Sequence, residues 1–200
     1  PNHPNGKRDS EEMWSDGVKT GLWRHWGENG IQQTEGRYDH GQRAGAWKVF
    51  DAKGQVEKLH YYEDSKVVRE GHMVDGVLRI SSLNEQGKKT GTWSERDGKR
   101  HGVAVEYHPG TEIPSRMTTY VDGLKTGEFS LHRQDGTKMA AGAFKDDVQQ
   151  CGWRVFDAQG VEQSTKALFA AQLSAQAATL ATKVPADPCE WTVSHALLLR

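Results

Sequence analysis

The sequence has no apolar run of about eighteen residues, so it offers no membrane-spanning helix. It also lacks charge of one sign: 26 Lys and Arg stand against 27 Asp and Glu, a formal net charge of -1. That balance gives no long-range pull toward nucleic acid or an anionic lipid surface. Aliphatic bulk is scarce, with Leu, Ile, Val and Phe totalling 35 of 200 residues. A large single core is not expected, yet a near-neutral chain of this kind is not the composition of a disordered one either. Recognisable catalytic patterns are missing as well. The nine His show no His-x-x-x-His spacing and there is no Cys-x-x-Cys, so a zinc site is not expected. There is no Gly-x-Ser-x-Gly elbow and no phosphate-cradling glycine loop. Glu35, Glu70 and Glu95 read as members of a sheet face. No catalytic residue, cofactor site or metal site is expected, and no enzyme activity.

What the chain does have is 22 Gly and seven Trp. The glycines recur. Turn-like positions fall at 17, 30, 41, 54, 65, 76, 87, 98, 110, 123, 136, 147 and 160, all Gly except Ser65 and Asp147. Asp-Gly and Asn-Gly dipeptides among them favour two-residue hairpin turns, in which both central residues take positive φ. Eleven to thirteen residues from one turn to the next leave about seven for a strand. The reading is mainly β: an elongated antiparallel meander of about twelve short strands.

The aromatics follow the same frame. Asp16-Gly17-Val18-Lys19-Thr20-Gly21-Leu22-Trp23 is the clearest unit, and it returns from Gly41, Gly98, Gly123 and Asp147. The inner glycines Gly21, Gly45, Gly91, Gly102 and Gly127 lie two residues before the ring position. Successive rings are expected to stack along the array, each over a neighbour's glycine. Trp23 and Trp26 are three apart, which places them on opposite faces unless a bulge intervenes. Between about residues 65 and 98 the pattern is out of phase. Gly71 stands where the ring should be, and Gly87 and Gly98 are half a unit apart. Drift in a tolerant scaffold and a functional irregularity both remain open as explanations.

The pattern Asp-Gly-x-x-x-Gly-x-Trp, followed by Gly and Glu-x-x-Tyr, resembles the MORN repeat, and more closely the bacterial MORN-variant repeat of antitoxin-like proteins. The resemblance covers about residues 15–163, with five good units and a poor one at Ser65. It implies elongated β-hairpin sheets that bind partners without catalytic residues. In bacteria it implies proteins that neutralise toxins, including immunity proteins against secreted effectors, some of them periplasmic partners of lipase-type effectors.

Residues 1–14 read as an N-terminal extension, 15–163 as the repeat array and 164–200 as a cap. Phe169, Leu173, Ala177, Leu180 and Val184 form a helical stripe that Pro185 ends, so an α-helix is expected to cover the last hairpin. Cys151 and Cys189, one in the array and one in the tail, are a candidate disulfide. It would be worth about 4 kcal/mol in the chain-entropy model and would imply an oxidising compartment. The start at Pro1, without Met, suggests a removed leader and a periplasmic location, with a cytoplasmic one as the alternative.

Two functions compete. The first is a stoichiometric immunity or antitoxin module that occludes a protein toxin, a hydrolase, over roughly 1,200–2,000 Å². Its candidate contacts are Arg69, His72, Met73 and Arg79, which depart from the repeat template and include interface-favoured residue types. The second is an envelope-associated scaffold that binds lipid or envelope proteins. Nucleic acid is not an expected partner.

Overall fold

The computed structural model describes residues 1–163. The expected helical cap and Cys189 lie outside the described residues. The chain divides into two compact units, Pro1–Glu95 and Arg96 onward. The first carries β1 (Ser10–Ser15), β2 (Val18–Trp26), β3 (Gln32–Asp39), β4 (Gln42–Phe50), β5 (Val56–Glu63), β6 (Lys66–Val74), β7 (Val77–Leu83) and β8 (Lys89–Arg96). The second carries β9 (Lys99–Arg100), β10 (Gly102–Tyr107), β11 (Pro114–Val121), β12 (Leu124–His132), β13 (Lys138–Lys145), β14 (Val148–Gln149), β15 (Arg154–Phe156) and β16 (Glu162–Gln163). Within each unit the long strands pair antiparallel in chain order.

The described residues thus hold sixteen strands where about twelve are expected. β1 and β16 extend the series at its ends. Two expected strands are each cut in two, β9 from β10 and β14 from β15. The cuts fall beside Gly102 (φ 83) and Gly152 (φ 85), both in left-handed backbone.

Two kinds of turn join the strands. Two-residue turns at Asp16-Gly17, His40-Gly41, Asp64-Ser65, Asp75-Gly76, Asp97-Gly98, Asp122-Gly123 and Asp146-Asp147 have positive φ at both residues, the geometry that matches strand twist. Wider turns begin at His3, Gly27, Asp51, Asn84, Arg133 and Asp157. In each, the first residue's N–H donates to the carbonyl four residues on, and a following Gly N–H donates back to the first residue's carbonyl. Asp51, Asn84 and Asp157 brace these turns from within. Asp51 Oδ1, for example, accepts the Lys53 and Gln55 amides at 2.8 and 2.9 Å. The wide turn at His3 carries the repeat pattern back before residue 15.

Ser65 is a β-turn residue at φ 63 where most two-residue turns carry Gly. Left-handed backbone costs a non-glycine residue about 1–2 kcal/mol, partly offset by glycine's larger entropy loss. Ser65→Gly is therefore expected to raise unfolding stability by about 0.5–1 kcal/mol, read in a urea melt. A variant that melts earlier would show that Ser65 is not strained.

Aromatics build the buried layer. In the first unit Trp14, Trp23, Tyr38, Trp47 and Tyr62 form a ladder with centroid separations of 5.5, 4.8, 5.1 and 6.3 Å. In the second, Phe129, Phe144 and Trp153 are mutual neighbours at 5.2–5.9 Å. Trp23, Trp47, Phe129 and Trp153 are buried. The rings stack as expected, but over different glycines. Trp47 covers Gly36, and Trp153 covers Gly142, so closely that neither glycine could carry a Cβ. Three of the inner glycines have another task. Gly21 (φ 61), Gly45 (φ 64) and Gly127 (φ 117) sit in bulges between β1 and β2, β3 and β4, and β11 and β12. Trp26, on the face opposite Trp23, lies under the Arg8 guanidinium at 5.3 Å. That face also bears an ion-pair row. Arg24 meets Glu35 at 2.8 Å and Glu11 at 3.3 Å, and Lys48 meets Glu35 at 3.4 Å.

Candidate partner-binding surface

The irregular segment has a structural cause. In β2, β4 and β12 the third residue after the strand's first is Gly21, Gly45 or Gly127. It takes left-handed backbone, and the bulge there adds two residues to the second strand: Glu35 pairs Lys48 while Arg37 pairs Ala44. In β6 the same place holds Arg69, which has no positive φ. The bulge between β5 and β6 adds one residue only, since Tyr61 pairs Arg69 and Tyr62 pairs Val67. One residue fewer in the bulge is a slip of one in register, and such a slip exchanges the two faces of a strand.

The exchange is visible in the rows of paired residues, because directly opposed residues share a face. Trp47 on the aromatic face is followed by His60, Glu70, Ser81 and Thr92. Lys48 on the ionic face is followed by Leu59, Gly71, Ile80 and Trp93. Past β5 the apolar row therefore runs on the face that is ionic in β1–β4, with Ile80 buried. The aromatic face becomes polar there.

This placement separates the four sequence candidates. His72 and Arg79 are directly paired, both exposed, on the aromatic-turned-polar face. Arg69 and Met73 alternate to the opposite face. The Arg69 guanidinium stacks over the Tyr61 ring at 4.1 Å. Met73, 39% exposed, pairs with Leu78. The sequence reading missed Lys58, which pairs with His72 from the other side. No spacing in the sequence signals it, since its place depends on the slipped register. Val74, 37% exposed, and Val77 continue the His72–Arg79 face toward the Asp75-Gly76 turn.

In the second unit, a cavity of about 510 Å³ is lined by Met117, Ser130, His132, Lys138, Ala141 and Cys151 among others. His132 Nδ1 is buried without a partner, while its carbonyl accepts from His108 Nε2 at 3.0 Å. Burial first, then the charges of Lys138 and His108, hold the His132 imidazole below its ordinary 6.5. A folded-state value below the unfolded one means that the unfolded chain binds the proton more readily. The stability linked to this group is thus complete above about pH 6.5 and lost as the pH falls through the lower folded value. An NMR titration is expected to place the His132 midpoint below 6.5; a midpoint at or above it would contradict the burial.

On the ionic face of the first unit, the hydrogen bond from Arg24 is the main cause that holds the Glu35 carboxyl below its ordinary value. Among the described residues no group of three or more His, Cys, Asp or Glu is placed to hold a metal ion, and no helix is long and apolar enough to cross a membrane. Cys151 is disulfide-bonded.

No known family model matches the chain, and neither does any curated protein. Solved structures of TarM show a partial likeness. S. aureus TarM, as a point mutant in complex with fondaparinux, alpha-GlcNAc-glycerol and UDP, has a TM-score of 0.38 and 11% identity, over 52% of this chain and 22% of that one. A second TarM crystal structure gives 0.33 and 12%, over 52% and 20%. The chain spans about a fifth of the length of these proteins.

Proposed function

We propose that the chain is a non-catalytic protein-binding repeat module, an immunity or antitoxin protein that neutralises a bacterial toxin by stoichiometric docking and occlusion. A secreted lipase-type effector is the toxin class in view. The observation that carries this reading is the one-residue slip at β5–β6. It leaves regular, hydrogen-bonded strands presenting His72 and Arg79 to solvent on a face that their neighbours β2–β4 fill with stacked rings. A rigid backbone with exposed basic and apolar side chains is a docking platform at little ordering cost. Solvent-facing Val74 and, on the opposite face, Met73 add apolar contact area. The disulfide at Cys151 supports an oxidising compartment such as the periplasm, and Cys189 is its proposed partner. A cap formed by residues 164–200 over the last hairpin belongs to the same proposal.

The test is affinity capture from envelope and soluble fractions, washed at about 0.5 M salt to screen weak surface attraction, with mass spectrometry. One stoichiometric protein, a hydrolase whose activity falls on binding, is the expected result. Retention on lipid vesicles with no protein captured would overturn it in favour of the envelope scaffold.

A further inference from the structure

The slipped register does more than expose two side chains. Lys58 on β5, His72 on β6 and Arg79 on β7 occupy one row of directly opposed positions. The row continues to Val49 on one side and Ser94 on the other, so no acidic residue closes it at either end. The two permanent cations of the row, Lys58 and Arg79, stand two strands apart with His72 between them and no carboxylate opposite any of the three. The side chains of His72 and Arg79 have neither a hydrogen bond nor an ion pair among the described residues. Lys58 has only the exposed Glu57 carboxylate at 3.8 Å, a pair that contributes little. On the next row of this face, Glu70 sits between His60 and Ser81. It lies two residues along β6 from His72, about 6.6 Å away, and is diagonal to Lys58 and Arg79 at about 7–8 Å.

The contrast with the other ionic row of the same unit is informative. There Glu11, Arg24, Glu35 and Lys48 alternate in sign across β1–β4, and consecutive members meet at 2.8–3.4 Å. The same sheet architecture thus sets opposite charges against each other in one row and places no acidic residue in the other.

We infer that the Lys58–His72–Arg79 row is the docking site for an acidic helix of a partner protein. Adjacent strands are about 4.8 Å apart, so the three side chains span about 10 Å across the strands. A helix rises 1.5 Å per residue, which puts carboxylates at i, i+3 or i+4, and i+7 on one face over about the same 10 Å. Laid across β5–β7, such a helix sets one carboxylate over each basic group. Its flanking apolar residues then reach Val74 and Val77 on the same face. Occupancy of the row by carboxylates gives Lys58 and Arg79 the opposed partners that the unbound sheet lacks. This inference rests on the protein-binding reading and names the chemistry of the partner at that surface.

The probe is an alanine-based helical peptide with Glu at i, i+4 and i+7, compared with its Gln counterpart, on the full chain by fluorescence anisotropy. The Glu peptide is expected to bind, with affinity falling as salt rises, and the Gln peptide not to bind. Arg79→Glu is expected to weaken binding at least about tenfold, as like-charge juxtaposition does. His72→Glu should behave alike, and the off-row control Lys53→Glu should leave binding unchanged. Arg79 is exposed, so an unchanged thermal melt accompanies the loss. The inference is overturned if the Gln peptide binds as well, if Arg79→Glu binds like wild type, or if vesicles of phosphatidylglycerol and phosphatidylcholine are bound and the Glu peptide is not. Capture of a stoichiometric protein by wild type and Arg79→Glu alike would discard this row and leave the protein-binding reading standing. Capture of no protein by either would remove that reading itself.

Discussion

Gly36→Ala is expected to destabilise the first unit by about 3 kcal/mol, the upper range for overpacking a filled site. Gly36 has ordinary strand backbone, so alanine brings no φ penalty there. The whole effect is steric. A Cβ at Gly36 would lie within the Trp47 indole, against Cδ2, Cε2 and Cγ. The ring has little room to yield. Trp47 is buried, its Nε1 donates to the Arg37 carbonyl at 3.1 Å, and Tyr38 packs edge-on against it at 5.1 Å. The Arg43 guanidinium lies over it at 4.6 Å. Moving the indole therefore breaks a hydrogen bond and two ring contacts together. A double-mutant cycle isolates the contact: Trp47→Leu on the Gly36→Ala background should recover much of the loss, because the smaller side chain vacates the space of the added methyl. Chemical denaturation gives the numbers. A Gly36→Ala chain within about 0.5 kcal/mol of wild type, the range of an ordinary surface change, would mean that the ring does not seal this glycine. Gly142, under Trp153, predicts the same behaviour in the second unit.

These two glycines show where sequence reasoning succeeds and where it stops. The turn series was legible because Asp-Gly pairs at a fixed spacing have one cheap backbone solution. The Gly-x-Trp pairing announces stacked rings over a neighbour's glycine, but the covered glycines, Gly36 and Gly142, are not members of the inner set. Rings in a sheet cover residues of the neighbouring strand, so the covered glycine is Gly36, eleven residues from Trp47, and its identity needs the register. Register depends on bulges, and a bulge is set by a single residue's tolerance of left-handed backbone. At residue 69 that residue is Arg instead of Gly. The sequence marks the segment 65–98 as out of phase, yet the consequence, an exchange of faces from β6 onward, is a property of paired strands. Hence the sequence names Arg69, His72, Met73 and Arg79 together without showing which face each takes, leaves out Lys58, and gives no sign that the slip begins at Arg69.

A second layer invisible in the sequence joins the wide turns to one another. His3 Nε2 donates to the Trp26 carbonyl at 2.8 Å, and His108 Nε2 to the His132 carbonyl at 3.0 Å. In each case the first residue of one turn, His108 opening a turn in which its N–H donates to the Ile113 carbonyl, reaches the residue just before the next wide turn. No local pattern signals this, because the partners are 23 or 24 residues apart and the donor is recognisable only once the turns are aligned.

Arg133 makes the strongest of these links, and its loss carries the second large expected effect. Its Nη1 donates to the Lys138 and Asp157 carbonyls at 2.9 and 3.0 Å, and its Nη2 to the Phe156 carbonyl at 2.5 Å. One planar guanidinium thus ties the β12–β13 turn to the turn that joins β15 to β16. Those last strands have few other ties: β13 and β15 share two paired positions, and β15 and β16 two more. Arg133→Met keeps the aliphatic stem and removes the fork, leaving three carbonyls without their charged donor. A loss of about 2–3 kcal/mol is expected, concentrated in β15 and β16. Arg133→Lys should restore little of it, since one ammonium cannot reproduce the geometry of the fork. Amide hydrogen exchange reads the location. Val155 and Gln163 should lose protection in Arg133→Met while strands of the first unit keep theirs. Because buried Trp153 packs on buried Phe129 at 5.2 Å, and buried Val155 shares a row with Ala140 and Leu131, release of β15 also uncovers the core of the second unit, and the whole unit should melt earlier. Uniform loss of protection across both units, or none at Val155, would show that the guanidinium does not hold the last strands in place.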